Sequence, residues 1–300
     1  MNSIYQEKYL NCRLCARNCG VDRTGGQLGY CKSTATPKIA RAALHMWEEP
    51  IISGSRGSGT IFFCGCSLGC IFCQNAEISS GRGGKDVSLE RLADIMIELQ
   101  EKGAHNINFV TPTHFAPTVC DAVMLARERG LSIPIVYNTG TYDNVETVKM
   151  LYGTVDIYLA DYKYNRKQTS GAYSRAEDYT EVCRSAIAEM VAQCPNPVVD
   201  GGIMRSGVIV RILLLPGHVA EAKLSVKYLY EKYGDSIYIS LMNQYTPMKN
   251  MPHPLDRRVS GEEYRELVDY AVKKGVRLAF IQEGDTAKES FIPPFDHTGV

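Results

Sequence analysis

Cysteine is the residue type whose placement in this chain most clearly indicates chemistry. The chain has 11 cysteines among 300 residues, and eight of them fall into two tight groups. The groups are Cys12, Cys15, Cys19 and Cys31, and then Cys64, Cys66, Cys70 and Cys73. Disulfide partners need no such clustering, and the N-terminus has neither the basic nor the apolar region of a secretion signal. Clustered thiols in a reducing compartment therefore predict metal binding.

The second group has a spacing that would leave an iron–sulfur cluster with an open coordination position. Cys66, Cys70 and Cys73 follow the pattern C-x3-C-x2-C directly after a predicted strand, where βα folds carry their chemistry. Three thiolates can hold three irons of a four-iron cluster, and the fourth iron can then bind a substrate or a cofactor. The alternative is a structural zinc site in which Cys64 supplies a fourth thiolate, because zinc favours closed sets of four ligands.

The first group has the spacing C-x2-C-x3-C-x11-C and lies in a segment with little apolar sequence. Its four soft ligands suit tetrahedral zinc or a second, closed iron–sulfur cluster. Metal binding would then supply much of the folding energy of the segment. The spacing is compatible with zinc, with an auxiliary cluster, or with no metal.

Seven short runs of β-branched and aromatic residues must position these groups. They alternate with helical segments, and such alternation predicts parallel strands joined by crossover helices. The predicted strands are 60–63, 107–110, 133–137, 155–159, 208–214, 237–241 and 276–281. The predicted helices are 88–103, 117–130, 143–152, 174–193, 219–233 and 260–274. Ser260 with Glu263 three residues later predicts a capping box at the start of the last helix, whereas Ser88 with Arg91 does not complete one. The pattern alone fits a doubly wound sheet as well as an open or complete barrel.

Composition and charge exclude several classes of protein. Lys and Arg together number 33, as do Asp and Glu, so the chain has no global basic surface for nucleic acid. No apolar run approaches the ~20 residues that span a bilayer. We therefore expect neither a nucleic acid nor a membrane as partner, and we expect a cytoplasmic location.

The first 50 residues differ from the remainder of the chain. They are short in strand signals, rich in turns, and contain the first cysteine group. We predict a Cys-rich metal-binding extension over 1–50, a barrel over 51–285 and a C-terminal tail over 286–300.

Several longer segments resemble a known family. They are CRLCARNCGVDR, GSGTIFFCGCSLGCIFCQNAEIS, LQEKGAHNINFVTPTHFAP, IPIVYNTGTYDN, VDIYLADYKY and VIVRILLLPG. The loop CSLGCIFC resembles the cluster loop of the radical S-adenosylmethionine (SAM) superfamily, including the aromatic residue before the last cysteine. More closely, the chain is similar to the pyruvate formate-lyase activating enzyme-like group whose members begin with an extra cysteine motif. The likeness runs from residue 12 to about 217 and continues more weakly through SLMNQYTP.

The resemblance implies an α/β fold, a partial (βα)6 radical SAM barrel with a small Cys-rich N-terminal extension. It also implies a [4Fe-4S] cluster held by Cys66, Cys70 and Cys73, with SAM bound at the open iron. One electron from a donor of the flavodoxin or ferredoxin type would cleave SAM, and the resulting 5′-deoxyadenosyl radical would abstract a hydrogen from the substrate. The protein would orient SAM against the cluster and exclude water.

The same resemblance assigns residues to SAM binding. Phe72 would lie against the adenine, and Asn75 would contact the nucleoside. Asp161 and Lys163 resemble an Asp-x-Lys pair that handles the methionine carboxylate, for which a lysine point charge is suited. The further predicted SAM contacts are Thr111, Pro112, Thr113, Asn138, Thr139 and Arg211.

Several of these positions are also compatible with roles outside SAM binding. The second strand ends in Thr111-Pro112-Thr113, where the superfamily typically has Gly-Gly-Glu for the methionine amine. Backbone carbonyls and threonine hydroxyls would have to serve here. Asp161 and Lys163 are compatible with a surface ion pair as well, and Thr111 and Thr113 with caps of the next helix.

These features predict a radical SAM oxidoreductase that resembles the activases of glycyl-radical enzymes. Such activases abstract a hydrogen from a backbone glycine of a partner protein. The alternative within the class is a radical SAM enzyme that modifies a small molecule or a peptide. The alternative from another class is a zinc or redox metal-binding protein.

Overall fold

A mainly parallel sheet lies at the centre of the structure, a computed structural model that describes residues 5–282 and 293–300. Its strands in chain order are β1 (Lys38–His45), β2 (Ser58–Phe63), β3 (Lys85–Asp86), β4 (Ile107–Val110), β5 (Ile135–Thr139), β6 (Ile157–Asp161), β7 (Val198–Asp200), β8 (Ile203–Leu213), β9 (Tyr238–Met242) and β10 (Ala279–Ile281). They follow the order β10-β9-β8-β6-β5-β4-β2-β1-β3, and β7 pairs with β8 outside this path.

The seven predicted strands correspond to the parallel part of this sheet. β2, β4, β5, β6, β8, β9 and β10 pair in parallel, each with its neighbour in that order. β10 and β3 lie at opposite ends, so the sheet is open. The open parallel arrangement confirms the predicted partial barrel and excludes a closed one. Because parallel strands end at the same edge, their carboxyl ends come together.

Helices lie before and between the parallel strands. They are α1 (Pro50–Ser53), α2 (Ala76–Ser79), α3 (Leu89–Glu101), α4 (Ala116–Glu128), α5 (Val145–Met150), α6 (Lys167–Ser174), α7 (Tyr179–Gln193), α8 (Val219–Tyr233) and α9 (Gly261–Lys273). Short 3-10 helices cover Gln6–Tyr9, Thr113–Phe115 and Gly234–Ser236. Over the described ranges, none of the helices has the length and apolar content that a membrane span requires.

Two helix starts are determined by local side chains. At the start of α9, Ser260 accepts a hydrogen bond from the Glu263 N–H at 3.1 Å, and the Glu263 carboxylate accepts one from the Ser260 N–H at 2.8 Å. This is the predicted capping box. At the start of α3, Ser88 accepts from the Arg91 N–H at 3.1 Å. The last residue of the box is then an arginine, so the reciprocal bond of a carboxylate is missing, as the sequence indicated.

The prediction of one helix over 174–193 is wrong at its beginning. Ser174 is the last residue of α6, and α7 begins only at Tyr179. Between them Arg175 adopts a left-handed conformation, with φ of 50°. A left-handed residue at this position ends a helix, because the chain turns away from the helix axis.

The predicted N-terminal extension contributes a strand to the main sheet. β1 pairs antiparallel with β2, and Ala42 lies opposite Ile61. Its sequence KIARAALH is rich in alanine, which has a weak preference for strands, so its pattern did not indicate one. Pairing with a buried neighbour overrides that preference. The sheet therefore begins before the predicted boundary at residue 50.

Residues 5–37 form a layer beside the barrel, called here the N-terminal layer. The Tyr9 hydroxyl is 2.8 Å from the Thr118 hydroxyl of α4. Of the predicted tail over 286–300, residues 286–292 lie outside the described ranges, as do residues 1–4 and 283–285 of the other two predicted units. The described end of the tail runs along β1, where the Ala42 N–H donates to the Thr298 carbonyl at 2.8 Å.

The short helix α1 closes the interior of the barrel. Its Ile52 is fully buried against apolar side chains of the inner sheet face. Those side chains are Val136, Ile157, Leu159, Met204 and Ile209. Burial of such a side chain contributes roughly 1.5–3 kcal/mol. Anchoring of α1 brings the residues that precede it, Glu48 and Glu49, into the barrel.

Candidate functional site

A cleft of about 890 Å³ opens at the carboxyl ends of the parallel strands. Five neighbouring strands of the sheet, β4, β5, β6, β8 and β9, each contribute one polar residue, which lies within the last three residues of the strand or directly after it. These residues are Thr111, Asn138, Asp161, Arg211 and Ser240. The loop after β2, residues 64–75, forms another wall and is called here the cluster loop. The topology thus assembles a site from segments far apart in sequence.

The three cysteines predicted to hold iron all line this cleft. They are Cys66, Cys70 and Cys73. Burial, followed by the neighbouring thiols of Cys66 and Cys70, raises the pKa of Cys73 to about 12. The Leu68 N–H donates to Cys66 Sγ at 3.3 Å, a contact typical of thiolate ligands.

Cys64 lies apart from these three thiols. It does not line the cleft, and its thiol donates to the Gly83 carbonyl at 3.3 Å. It packs with Phe62 and Ile78 in a separate apolar cluster. The charged groups that shift its pKa include no other cysteine. A closed zinc site that uses Cys64 therefore does not match this geometry.

Two glycines let the cluster loop lie against the N-terminal layer. Gly65 has φ of +90°, and a Cβ there would lie 2.4 Å from the Ser33 hydroxyl oxygen and 2.5 Å from the Cys31 carbonyl oxygen. Gly69 has φ of +65°, and a Cβ there would lie 2.9 Å from the Tyr30 hydroxyl oxygen. Only glycine adopts this conformation freely and permits such close approach.

The spacing of the thiols fits a cluster better than a single ion. Within residues 5–282 and 293–300, no three Cys, His, Asp or Glu side chains converge closely enough to hold one metal ion. A tetrahedral zinc site would need sulfur atoms about 3.8 Å apart. A four-iron cluster distributes its ligands over separate corners and so needs wider spacing. Three thiols around one cleft match this donor set.

A buried ion-pair network lies beside the cysteines. Lys163 Nζ is 2.7 Å from Asp161 Oδ2, and Arg211 Nε is 2.7 Å from Asp161 Oδ1. The side chains of Asp161 and Lys163 are each only 18% exposed, so they are not a surface pair. Burial acts to raise the pKa of Asp161, but Arg211 and then Lys163 outweigh burial and lower it. Asp161 is therefore ionised and fixes both cations.

Two carboxylates in this network were not predicted from the sequence. Glu48 Oε1 accepts from Asn108 at 3.1 Å and from Asn138 at 3.2 Å, and its Oε2 is 3.1 Å from Arg211 Nη1. Burial, opposed mainly by Arg211, raises the pKa of the adjacent Glu49 to about 7. The only local signal was a pair of glutamates before Pro50, which is typical of a helix start. Only the position of α1 brings them into the barrel.

The structure brings most of the predicted SAM contacts together. Those that line the cleft are Phe72, Asn75, Thr111, Asn138, Asp161, Lys163 and Arg211. Phe72 is held by edge-on contacts with tyrosine rings, whose centroids lie 6.1–6.4 Å away. Its ring is therefore fixed at the wall of the cleft.

Pro112, Thr113 and Thr139 do not line the cleft. The Thr113 and Thr139 hydroxyls are 3.2 Å apart, and Thr139 donates to the buried Asp143 at 2.7 Å. Thr139 follows Asn138 in β5, and successive side chains of a strand point to opposite faces. The predicted contacts of these two hydroxyls with SAM therefore do not match their placement. Thr113 does not cap α4 either.

The four thiols of the N-terminal group lie near one another but outside the cleft. Cys12, Cys15 and Cys31 are buried, and Cys19 is exposed. Burial, followed by the other three thiols, raises the pKa of Cys15 to about 12. The Tyr30 N–H donates to Cys19 Sγ at 3.3 Å. The layer thus brings four thiols into one region, but here too no three of the described Cys, His, Asp or Glu side chains converge closely enough to hold one metal ion, so metal binding would have to draw these thiols together.

Comparison with known proteins gives matches in sequence and in structure. A sequence model of the radical SAM superfamily matches residues 60–221. An uncharacterized protein of Methanocaldococcus jannaschii is 28% identical over 288 residues, which cover 92% of this chain and 79% of that protein.

Two solved structures share the fold at low identity. Streptococcus suis SuiB bound to S-adenosylmethionine has a TM-score of 0.50 at 12% identity, over 73% of this chain and 48% of SuiB. Native anSMEcpe with bound AdoMet and a peptide has a TM-score of 0.52 at 14% identity, over 72% of this chain and 60% of that one. This chain thus matches about half the length of SuiB.

Proposed function

Because the chain belongs to the radical SAM superfamily, we propose that it abstracts a hydrogen from a backbone glycine of a partner protein or peptide. Its cofactors are a [4Fe-4S] cluster and SAM. When bound, they supply one-electron chemistry that ends in hydrogen abstraction from a substrate. A low-potential donor of the flavodoxin or ferredoxin type would provide the electron. The chain's own residues bind, orient and shield these groups.

Cys66, Cys70 and Cys73 would hold the cluster. Three thiolates leave one iron open. The Cys64 thiol does not face the cleft and instead donates a hydrogen bond to the Gly83 carbonyl. The apolar residues around the loop, including the buried Leu68, would keep water away from the open position.

Lys163 would bind the carboxylate of SAM. Burial acts to lower its pKa, but Asp161 outweighs burial and raises it, so the ammonium group is charged. Asp161 also binds Arg211, which itself contacts Glu48, so each charge in the network has a partner. A charge held in this way needs little reorganisation when an anionic group enters the cleft.

The rim of the cleft is the observation that carries the proposal of a protein or peptide substrate. Met46, Trp47 and Ile281 line the cleft and are 43%, 56% and 49% exposed. Exposed apolar side chains beside a polar site are typical of surfaces that bind another chain. A small polar substrate would gain little binding energy from contact with these apolar side chains. The solved structures that share this fold include SuiB bound to its precursor peptide and anSMEcpe with a bound peptide.

For the N-terminal group we propose a structural metal centre, either zinc or a closed iron–sulfur cluster. Its four thiolates would complete the coordination of either one. The group lies outside the cleft, so its metal would stabilise the layer rather than bind substrate.

Deuterium transfer tests the proposed reaction. Cluster-loaded protein, a chemical reductant and SAM are incubated with short peptides that carry one Cα-deuterated glycine between apolar residues. We expect deuterium in the 5′-deoxyadenosine, and we expect Trp47→Ala to reduce that transfer. SAM cleavage measured without peptide should stay unchanged in this variant, because Trp47 lies on the rim. Trp47 is the single tryptophan of the chain, so its fluorescence also reports peptide binding.

The outcomes separate the alternatives. A fully loaded protein that never forms 5′-deoxyadenosine would contradict an enzymatic function and favour a metal-binding protein. Cleavage of SAM with no deuterium transfer from any peptide, but with transfer from a small molecule, would contradict the proposed substrate class alone.

A further inference from the structure

A hydroxyl group outside the cluster loop contacts one of the predicted cluster ligands. Ser174 Oγ lies 3.0 Å from Cys70 Sγ, with the hydroxyl as donor. Ser174 is the last residue of α6 and is fully buried. It is 104 positions away from Cys70 in the sequence, so no motif of the loop indicates this contact.

A second hydroxyl sets the direction of that hydrogen bond. Tyr164 Oη lies 2.6 Å from Ser174 Oγ and 3.8 Å from Cys70 Sγ. Each hydroxyl has one hydrogen to donate. When Tyr164 donates to Ser174, the serine hydrogen is directed at the sulfur, and the shorter distance favours this order. The two residues thus form a chain of donors that ends on Cys70.

Arg17 of the N-terminal layer holds Ser174 in place. Its guanidinium donates to the carbonyls of Ser174 at 2.8 Å and Arg175 at 2.5 Å. These carbonyls belong to the end of α6, where a helix leaves its last acceptors without partners and where a positive charge is favourable. The same guanidinium donates to the carbonyls of Ser67 at 2.9 Å and Leu68 at 3.0 Å. Arg17 thus fixes α6 and the cluster loop at once.

The position of Arg17 is itself fixed by the N-terminal layer. Its guanidinium stacks on Tyr30 at 3.8 Å from the ring centroid. In sequence it lies between Cys15 and Cys19. A continuous set of contacts therefore runs from the N-terminal cysteine group through Arg17 and Ser174 to Cys70.

We propose that Ser174 tunes the reduction potential of the central cluster through its hydrogen bond to Cys70, and that Arg17 positions Ser174 to do so. The inference rests on the proposed function, because it requires that Cys70 be an iron ligand. One electron from the low-potential donor adds negative charge to the cluster and its thiolates. A hydrogen bond donated to a thiolate stabilises the more negative state and so raises the potential. Ser174 and Arg17 are positioning residues.

Redox titration of the loaded protein, followed by its EPR spectrum, tests the role of Ser174. In Ser174→Ala we expect a midpoint potential more negative than wild type, with unchanged iron content. Ser174→Thr keeps the hydroxyl and should restore most of the shift. Ser170→Ala is the matched control, since Ser170 is also fully buried in α6 but bonds the Lys167 carbonyl. Its potential should equal that of wild type.

Two further variants keep the test decisive when Ser174→Ala does not take up iron. Tyr164→Phe keeps the ring and removes only the second donor, so its shift should be negative and smaller. Arg17→Ala should also shift the potential negatively, whereas Arg13→Ala, at an exposed position of the same layer, should not.

Failure of this inference differs from failure of the proposed function. Wild type that loads no iron or never cleaves SAM contradicts the proposed function. If wild type loads iron and cleaves SAM, but the variants of Ser174, Tyr164 and Arg17 have the same potential and EPR spectrum as wild type, only the tuning role is overturned.

Discussion

The two cysteine groups of this chain differ in the number of thiols that could bind a metal and in the residues around those thiols. Three thiols of the central group face a cleft of about 890 Å³ with charged side chains at the strand ends. The four N-terminal thiols face no part of that cleft, and the buried Arg23 lies 3.7 Å from Cys12 Sγ. Three ligands with open space beside them suit chemistry at the metal, whereas four ligands suit a structural role.

The two cysteine groups also differ in how far apart in sequence their surrounding residues lie. The polar surroundings of the central group come from strand ends and from α6. The four cysteines of the N-terminal group, in contrast, all lie within residues 12–31. Contacts from Arg17 nevertheless connect the two regions. The N-terminal layer is therefore a support for the central group as well as a separate unit.

The largest expected effect is the loss of iron and of SAM cleavage when a single cysteine of the central group is removed. Cys66→Ala, Cys70→Ala or Cys73→Ala should each lose the central cluster of about four irons and all SAM cleavage. Cys64→Ala is the matched control and should keep both, because its thiol points away from the cleft. Iron analysis and 5′-deoxyadenosine assays measure the outcome. Loss of iron in Cys64→Ala alone would mean that a fourth thiolate closes the site.

Disruption of the N-terminal group should come next in size. The double variant Cys12→Ala with Cys15→Ala should loosen residues 5–37 while the central loop still takes up iron. Structural metals contribute on the order of 10 kcal/mol to small units, so proteolysis of this segment should be at least roughly 10-fold faster.

The control for this variant is Cys120→Ala, which removes a buried thiol outside both groups. Metal analysis of wild type then identifies the ion, with one zinc or about four additional irons per chain as the two expected results. An unchanged metal content and unchanged protease resistance in the double variant would show that these thiols bind nothing.

Substitution of the charged residues in the wall of the cleft should weaken SAM binding but not iron binding. Asp161→Ala or Lys163→Ala should weaken SAM binding by about 10-fold or more, since hydrogen bonds to charged groups contribute about 1.5–3 kcal/mol. Iron content should stay at the wild-type level. Equilibrium dialysis of the loaded protein measures the affinity. Lys149→Ala, which breaks an exposed ion pair on α5, should leave it unchanged, and an equal loss there would contradict a specific role of the pair.

The smallest expected effect is the pH dependence caused by Glu49. Its pKa is raised to about 7 by burial, so the folded state favours its protonated form. The stability that this provides is complete below the unfolded pKa near 4.5 and is lost as pH rises through 7. Glu49→Gln should therefore be more stable than wild type at pH 8 by about 1–3 kcal/mol, with little difference at pH 4.5.

Thermal unfolding of the two proteins at both pH values measures this difference. A Glu49→Gln variant that follows the wild-type pH dependence would show that Glu49 does not titrate in the cleft. The exposed Glu146→Gln is the control and should reproduce the wild-type profile.

Local patterns in the sequence predicted the seven parallel strands and most of the longer helices, and they marked the three central cysteines as candidate ligands. The spacing of Cys66, Cys70 and Cys73, the seven strands and the capping box at Ser260 each depend on residues close together in the chain. Short-range spacing and periodicity encode such features directly. The open parallel sheet followed from the alternation of strands and helices together with the family resemblance.

Only the tertiary structure decided which of the candidate side chains share the cleft. Alternation along β5 directs Asn138 inward and Thr139 outward, and the anchoring of α1 brings Glu48 to Arg211 over 163 positions of sequence. The contact of Arg17 with Ser174 spans 157 positions. Such contacts depend on how elements pack, and a hydrogen-bonding side chain has no local pattern that identifies a distant partner. The sequence by itself thus identified the candidate cluster ligands, and packing determined which groups surround them.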